Sequence, residues 1–106
     1  MRITNNHKHI TRDGKEIGYL QLVKDSGLRI PELEYLVDEY YQNQGIMSVE
    51  LPKYLEWLKG KDITQLCALV KPENLASIKI LKNNRFIKTG QFKIADCYIT
   101  DLNWVY

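Results

Sequence analysis

A short polar bend between two regular segments is the part of this chain best suited to chemistry. Residues 42–48 read QNQGIMS and include Gly45; the leucines at 51, 55 and 58 follow at helical spacing. Glycine permits a tight turn, and the first N–H groups of a helix lack intrahelical partners at the positive end of its dipole. Such a terminus can bind phosphate or pyrophosphate. The bend is a candidate anion site, although an ordinary glycine turn before a helix has the same residues.

Composition predicts one globular domain over residues 1–106, with 44% hydrophobic and 26% charged residues and a net charge of +2. That charge gives no support for a nucleic-acid or membrane partner. No apolar run could span a bilayer, and the N-terminus lacks a hydrophobic signal segment, so the expected location is cytoplasmic. Cys67 and Cys97 are expected to be reduced thiols in strands. His7 and His9 lack a third ligand, so no metal site is predicted.

Periodicity predicts six strands and two helices in the order β-β-β-α-β-α-β-β. The first helix is expected either to begin close to Ser48, with Pro52 in its first turn, or to be kinked at Pro52. The second helix is expected to span Asn74–Asn84. The predicted strands are His7–Arg12, Glu16–Lys24, Leu33–Tyr41, Thr64–Val70, Ile87–Lys93 and Tyr98–Tyr106. The third and fourth strands should be parallel through a right-handed crossover, and the flanking hairpins antiparallel. The predicted class is therefore α/β (α+β), a mixed sheet with helices packed against it.

Two segments carry a family resemblance. "VDEYYQNQGIM" resembles the acyl-CoA-binding motif of the GNAT superfamily of N-acetyltransferases, Gln/Arg-x-x-Gly-x-Gly/Ala, at Gln42 to Met47. "NLASIKILKNNRF" is similar to the second signature, with Asn74, Ser77 and Phe86 in register. The nearest branch acetylates protein N-termini and ribosomal proteins. The resemblance implies a GNAT-like fold truncated at its N-terminus, without the family's first strand and next two helices.

Three positions depart from the family pattern. Met47 replaces a small residue and is expected either to narrow the approach of a pyrophosphate to the bend or to push it outward. Arg85 replaces a glycine. Leu81 occupies the position where many members carry a tyrosine that protonates the departing thiolate.

The resemblance implies acetyl-CoA as cofactor and assigns residues to two roles. The implied catalytic residues are Glu34 as general base, with Ser77 and Tyr98 as possible donors to the thiolate. Because side chains alternate along a strand, Glu34 and Tyr35 are expected on opposite faces, so that only one lines the site. Lys79 is an alternative to Lys82 as a phosphate ligand. The implied cofactor-binding residues are Leu36, Val37, Gln42, Asn43, Gln44, Gly45, Ile46, Met47, Asn74, Ser77 and Lys82.

The implied function is acetyl-CoA-dependent transfer of an acetyl group to a primary amine, on a small molecule or on a protein N-terminus or lysine. One alternative is a non-catalytic CoA-binding or regulatory module of the same fold. A more distant one is a nucleic-acid binder that uses the basic second helix, although the sequence lacks an aromatic-basic signature. The strand His7–Arg12 would be an exposed edge, which predicts a homodimer or a partner chain that covers it. Asn74 also fits a helix N-cap.

Overall fold

The computed structural model describes residues 2–3, 6–24, 30–61, 63–92 and 95–102. Within these ranges the chain forms seven strands, two α-helices and one 3-10 turn, Glu39–Tyr41. The helices are α1 (Ile46–Leu58) and α2 (Leu75–Asn83). The strands are β1 (Arg2–Ile3), β2 (Lys8–Arg12), β3 (Lys15–Lys24), β4 (Glu32–Val37), β5 (Gln65–Val70), β6 (Ile87–Phe92) and β7 (Ala95–Asp101).

The strands form one mixed sheet in the order β1-β3-β4-β5-β7-β6, with β2 also paired to β3. The pairing of β4 with β5 is parallel, and every other pairing among the described strands is antiparallel. This confirms the predicted mixed sheet, its parallel central pair and its flanking hairpins. Two features were not predicted: the short β1, and the position of β7 between β5 and β6.

The predicted third strand, Leu33–Tyr41, corresponds to β4 and ends earlier than predicted. It ends at Val37, not at Tyr41, because the chain turns at Asp38. The Asp38 N–H still donates to the Ile17 carbonyl on β3 (2.6 Å), whereas the Asp38 carbonyl accepts from the Tyr41 N–H (2.8 Å) and closes the 3-10 turn. The apolar run therefore continues past the strand into a turn that leads to the bend.

The first helix begins at Ile46, two residues before the predicted start. Pro52 consequently lies in the helix interior, so the expectation that it lies in the first turn is wrong. Proline has no N–H, so the Ser48 carbonyl receives no i→i−4 hydrogen bond from this position. The last strand begins at Ala95, before the predicted Tyr98, and the predicted end at Tyr106 lies outside the described residues.

Both helices pack on the same face of the sheet. Leu51, Tyr54 and Leu58 of α1 and Leu81 of α2 join one core cluster with the sheet residues of that face, such as Leu22. On the opposite face Leu36 and Ile87 are more than half exposed. The apolar spacing of the helices therefore supplies a single core on one side of the sheet.

The sheet opens between β4 and β5. The strands pair only at Glu32 and Cys67, next to a hydrogen bond from the Cys67 N–H to the Pro31 carbonyl (3.0 Å). Backbone groups alternate in direction along a strand. The Pro31 carbonyl points toward β5, and the Asp38 N–H points toward β3. By this alternation, the N–H and C=O groups of Tyr35 and Val37 point into the opening. Those of Leu36 point toward β3.

Gly18 sets how closely β3 approaches β4 beside this opening. It pairs with Val37, and a Cβ at Gly18 would lie 2.3 Å from the Leu36 carbonyl oxygen. A side chain at position 18 would force β4 to move. The position of β4 therefore depends on glycine at this site.

Candidate functional site

Two clefts meet at the opening between β4 and β5. The first, of about 570 Å³, lies between the end of β4, the bend and α2. The second, of about 430 Å³, reaches the face of the sheet that carries Tyr19 and Glu34. Three residues line both clefts: Tyr35, Asn74 and Ser77. The two clefts therefore share one junction, built from β4 and the start of α2.

The bend at residues 42–45 forms one end of the first cleft. Gly45 caps α1 in the left-handed conformation (φ 71°), and Asn43 is also left-handed (φ 63°). The Gln42 side-chain amide donates to the Val37 carbonyl (3.0 Å) and ties the bend to β4. Among the described residues, apart from the two chain neighbours of Gly45, no atom lies within 4 Å of a Cβ built on this glycine, so the space beside it is open. The start of α1 thus presents free N–H groups next to open space, which fits a diphosphate.

Met47 does not block this end of the cleft. Its side chain is 5% exposed and belongs to the core cluster, so it forms part of the floor. The expected narrowing by this larger residue is therefore not observed.

The junction contains a pair of hydroxyl groups. The Tyr35 oxygen lies 2.9 Å from the Ser77 Oγ, and either group can donate. Burial raises the pKa of Tyr35, and the hydrogen bond with Ser77 offsets part of that rise. A tyrosine in this environment stays protonated at neutral pH and can donate a hydrogen bond or a proton.

Asn74 orders the start of α2. Its Oδ1 accepts from the Ser77 N–H (3.2 Å), which confirms the predicted N-cap. This bond also fixes Ser77 within the first turn of the helix. The Asn74 side chain itself lines both clefts.

Carboxylates line the second cleft. Glu34 accepts a hydrogen bond on Oε1 from the Nε2 of Gln21 (2.8 Å), and Glu32 and Lys71 also line this cleft. Tyr35 lines it too. The prediction that only one of Glu34 and Tyr35 could line the site is wrong, because the opening in the sheet gives access to both faces.

The structure gathers most of the residues assigned from sequence to the cofactor around the first cleft. Gln44 and Lys82 are the exceptions, since neither lines it, whereas Lys79 does. The assigned residues that line it are Leu36, Val37, Gln42, Asn43, Gly45, Ile46, Met47, Asn74 and Ser77.

Tyr98 does not reach either cleft. It is 3% exposed, on β7 within the core, so its assignment as a donor to the thiolate is corrected. Leu81 is 1% exposed. Sequence reasoning missed Tyr35 as a site residue and did not consider Gln21; the alternation in β4 assigns side chains to faces but does not show where the sheet opens.

Cys67 and Cys97 are free thiols on β5 and β7, as predicted. The described residues contain no group of three or more His, Cys, Asp or Glu side chains placed to hold a metal ion. In the same part of the chain, no helix is both long enough and apolar enough to cross a membrane.

Comparison with models of known protein families identifies a matching domain. The sequence model of the acetyltransferase (GNAT) domain matches residues 3–87. A comparison with curated protein sequences gave no significant match.

Several solved structures share the fold. An N-acetyltransferase from Staphylococcus aureus Mu50 superposes with a TM-score of 0.77 at 22% identity, covering 90% of this chain and 66% of that one. Ribosomal-protein-S5-alanine acetyltransferase from Vibrio fischeri gives 0.72 at 21% identity, covering 86% and 57%. YncA from Salmonella typhimurium, in a structure with its cofactor acetyl-CoA, gives 0.75 at 16% identity, covering 91% and 64%. The present chain thus spans 57–66% of the length of these three proteins.

Proposed function

The chain belongs to the GNAT acetyltransferase family, and on that premise we propose that it transfers the acetyl group of acetyl-CoA to a primary amine. The observation that carries the proposal is the junction of the two clefts at Tyr35, Asn74 and Ser77. Group transfer requires donor and acceptor to reach one point in a fixed relative orientation. Two clefts that meet at one point provide that arrangement.

The residues of the first cleft fit CoA. The backbone N–H and C=O groups of Tyr35 and the N–H of Val37 point into the opening and can bind the amides of a pantetheine arm in the manner of an added strand. The N–H groups at the start of α1, beyond Gly45, can bind the diphosphate. Lys79 lines the same cleft and can pair with a phosphate. When bound, acetyl-CoA supplies an activated acyl group as its thioester.

The second cleft supplies groups for acid–base chemistry. Glu34 can accept a proton from an incoming ammonium group, which frees the nitrogen lone pair for attack. Ser77 and Tyr35 lie at the junction, where their hydroxyl groups can stabilise an oxyanion or hold a proton for a departing sulfur. Tyrosine is protonated at neutral pH, and burial raises the pKa of Tyr35 further above its ordinary value.

A non-catalytic CoA-binding module is the second candidate. It is favoured by the buried Leu81, which stands where many family members carry a tyrosine.

Two further elements of the proposal rest on the sequence: a cytoplasmic location, and a homodimer or a partner chain that covers an edge. The described edge strand β2 has four exposed residues of five, with Ile10 buried.

Thermal unfolding with and without acetyl-CoA is the first experiment, followed by a thiol-release assay with a panel of amines. At about 100 times its dissociation constant, a ligand adds about 2.7 kcal/mol to the free energy of unfolding, which raises the midpoint by several degrees. Stabilisation with amine-dependent thiol release supports the enzyme. Stabilisation without thiol release supports the binding module, and no stabilisation overturns both.

A further inference from the structure

Gln21 and Glu34 form a polar pair at the wall of the second cleft. They lie directly opposite each other on antiparallel β3 and β4, and the Gln21 Nε2 donates to the Glu34 Oε1 at 2.8 Å. Gln21 is only 7% exposed. A buried amide costs free energy unless it is hydrogen-bonded, so this contact holds the Gln21 side chain in place. The Glu34 carboxylate is in turn oriented by a group embedded in the sheet.

This bond occupies one oxygen of Glu34 and leaves the other able to accept hydrogen bonds within the cleft. The other charged side chains that line the cleft are Glu32 and Lys71. A hydrogen bond between an ammonium ion and a carboxylate is about twice as strong as one between neutral groups.

We infer that Gln21 is a positioning residue, which holds the Glu34 carboxylate in the orientation that binds the ammonium group of an acceptor in the second cleft. The inference rests on the proposed function, because it takes the second cleft as the acceptor site. Gln21 acts through Glu34 and is a positioning residue. The inference therefore predicts selectivity for a positive charge, and predicts that this selectivity depends on a side chain that does not face the acceptor.

The test compares two ligands of similar size that differ in charge: cyclohexylamine, a cation at pH 7.5, and aniline, which is neutral. Their dissociation constants are measured by NMR titration of the full chain saturated with CoA, so the measurement does not require turnover. The wild-type protein should bind cyclohexylammonium about tenfold more tightly than aniline. Glu34→Gln should abolish the difference, and Gln21→Leu should weaken cyclohexylammonium about threefold or more without changing aniline.

Gln91→Leu is the matched control. Gln91 also donates through Nε2 to a carboxylate, that of Asp96 (3.4 Å), but both residues lie outside the two clefts. This variant should bind both ligands as the wild type does. Retained CoA binding shows that Gln21→Leu is folded.

If Gln21→Leu weakens the binding of both ligands equally, the pair only shapes the cleft and the inference is overturned. If the substitution changes the binding of neither ligand, the inference is also overturned. Thiol release with cyclohexylamine is measured separately. Charge-selective binding without thiol release for any amine of the panel would contradict the proposed function alone. Acetyl transfer with a KM for cyclohexylamine that is independent of Gln21 would contradict this inference alone.

Discussion

The hydroxyl oxygens of Tyr35 and Ser77 lie 2.9 Å apart where the two clefts meet. One residue comes from the strand that borders the opening, and the other from the first turn of the helix above it. Their contact spans 42 positions of sequence. The pair thus joins the two elements whose relative position determines where the two clefts meet.

Replacement of Tyr35 by phenylalanine should lower kcat about 100-fold, because it removes the proton held at the junction. CoA affinity should change less than about twofold, since the backbone groups of residue 35 remain. The free energy of unfolding should fall by about 1 kcal/mol through the lost hydrogen bond. Steady-state kinetics, calorimetric CoA titration and urea unfolding measure these effects. Tyr41→Phe is the control, because Tyr41 lines the first cleft but not the second; equal kcat values for the two variants would refute a role for the Tyr35 proton.

Gly45→Ala and Gly14→Ala should separate backbone strain from ligand binding. Both glycines have positive φ (71° and 79°). Within the described part of the chain, a Cβ at either position would have no atom within 4 Å except those of its own chain neighbours. Each change should cost about 1–2 kcal/mol of folding free energy. Only Gly45→Ala should also weaken CoA, because its methyl group would enter the space beside the α1 N-terminus. Urea unfolding and calorimetry test this; equal CoA affinities in the two variants would argue against a diphosphate at the bend.

Asn74 serves as a helix cap and lines both clefts, and two substitutions should separate these roles. Asn74→Asp keeps an oxygen acceptor for the Ser77 N–H, so the stability of α2 should be retained. Asn74→Ala removes the acceptor and should cost about 1 kcal/mol. If the side-chain amide also donates to bound ligand, both variants should lose acetyl transfer. An Asp variant with full activity would restrict Asn74 to capping.

Stability should decrease at alkaline pH. Burial raises the pKa of the Cys67 thiol from 9.0 to about 12, and burial also raises the pKa of Tyr54. These groups are neutral when protonated, so above pH 9 the unfolded chain loses the Cys67 proton first and the unfolded state is favoured. The free energy of unfolding should therefore fall between pH 9 and 12, by up to about 1.4 kcal/mol per pH unit for each such group. Urea unfolding of the wild type and Cys67→Ala at several pH values tests this; identical slopes between pH 9 and 10 would contradict it.

Local patterns predicted the order of elements well, because strand alternation and helical spacing are local properties. They failed where tertiary contacts decide the outcome. The run to Tyr41 reads as strand, yet the hydrogen bonds of Asp38 turn the chain after Val37. Helix α1 begins before Ser48 and contains Pro52 in its interior, because packing of Ile46 and Met47 in the core favours the earlier start.

The lining of the first cleft was largely predictable, since the bend and the start of α2 are contiguous segments. The junction was not. The alternation of Glu34 and Tyr35 assigns them to opposite faces, but the clefts meet only because β4 and β5 pair at a single position. That separation, and the contact of Gln21 with Glu34, depend on the register between strands, which the pattern within one strand does not show.

The opening between β4 and β5 is a strand edge inside a domain. An unpaired edge on the outside of a sheet can recruit another protein strand and promote aggregation. Here the bend and α2 enclose the edge, so a second polypeptide strand with side chains would meet the cleft walls, whereas a thin linear chain of amides would not. The same backbone groups that would promote aggregation at an outer edge of a sheet can therefore select slender ligands here.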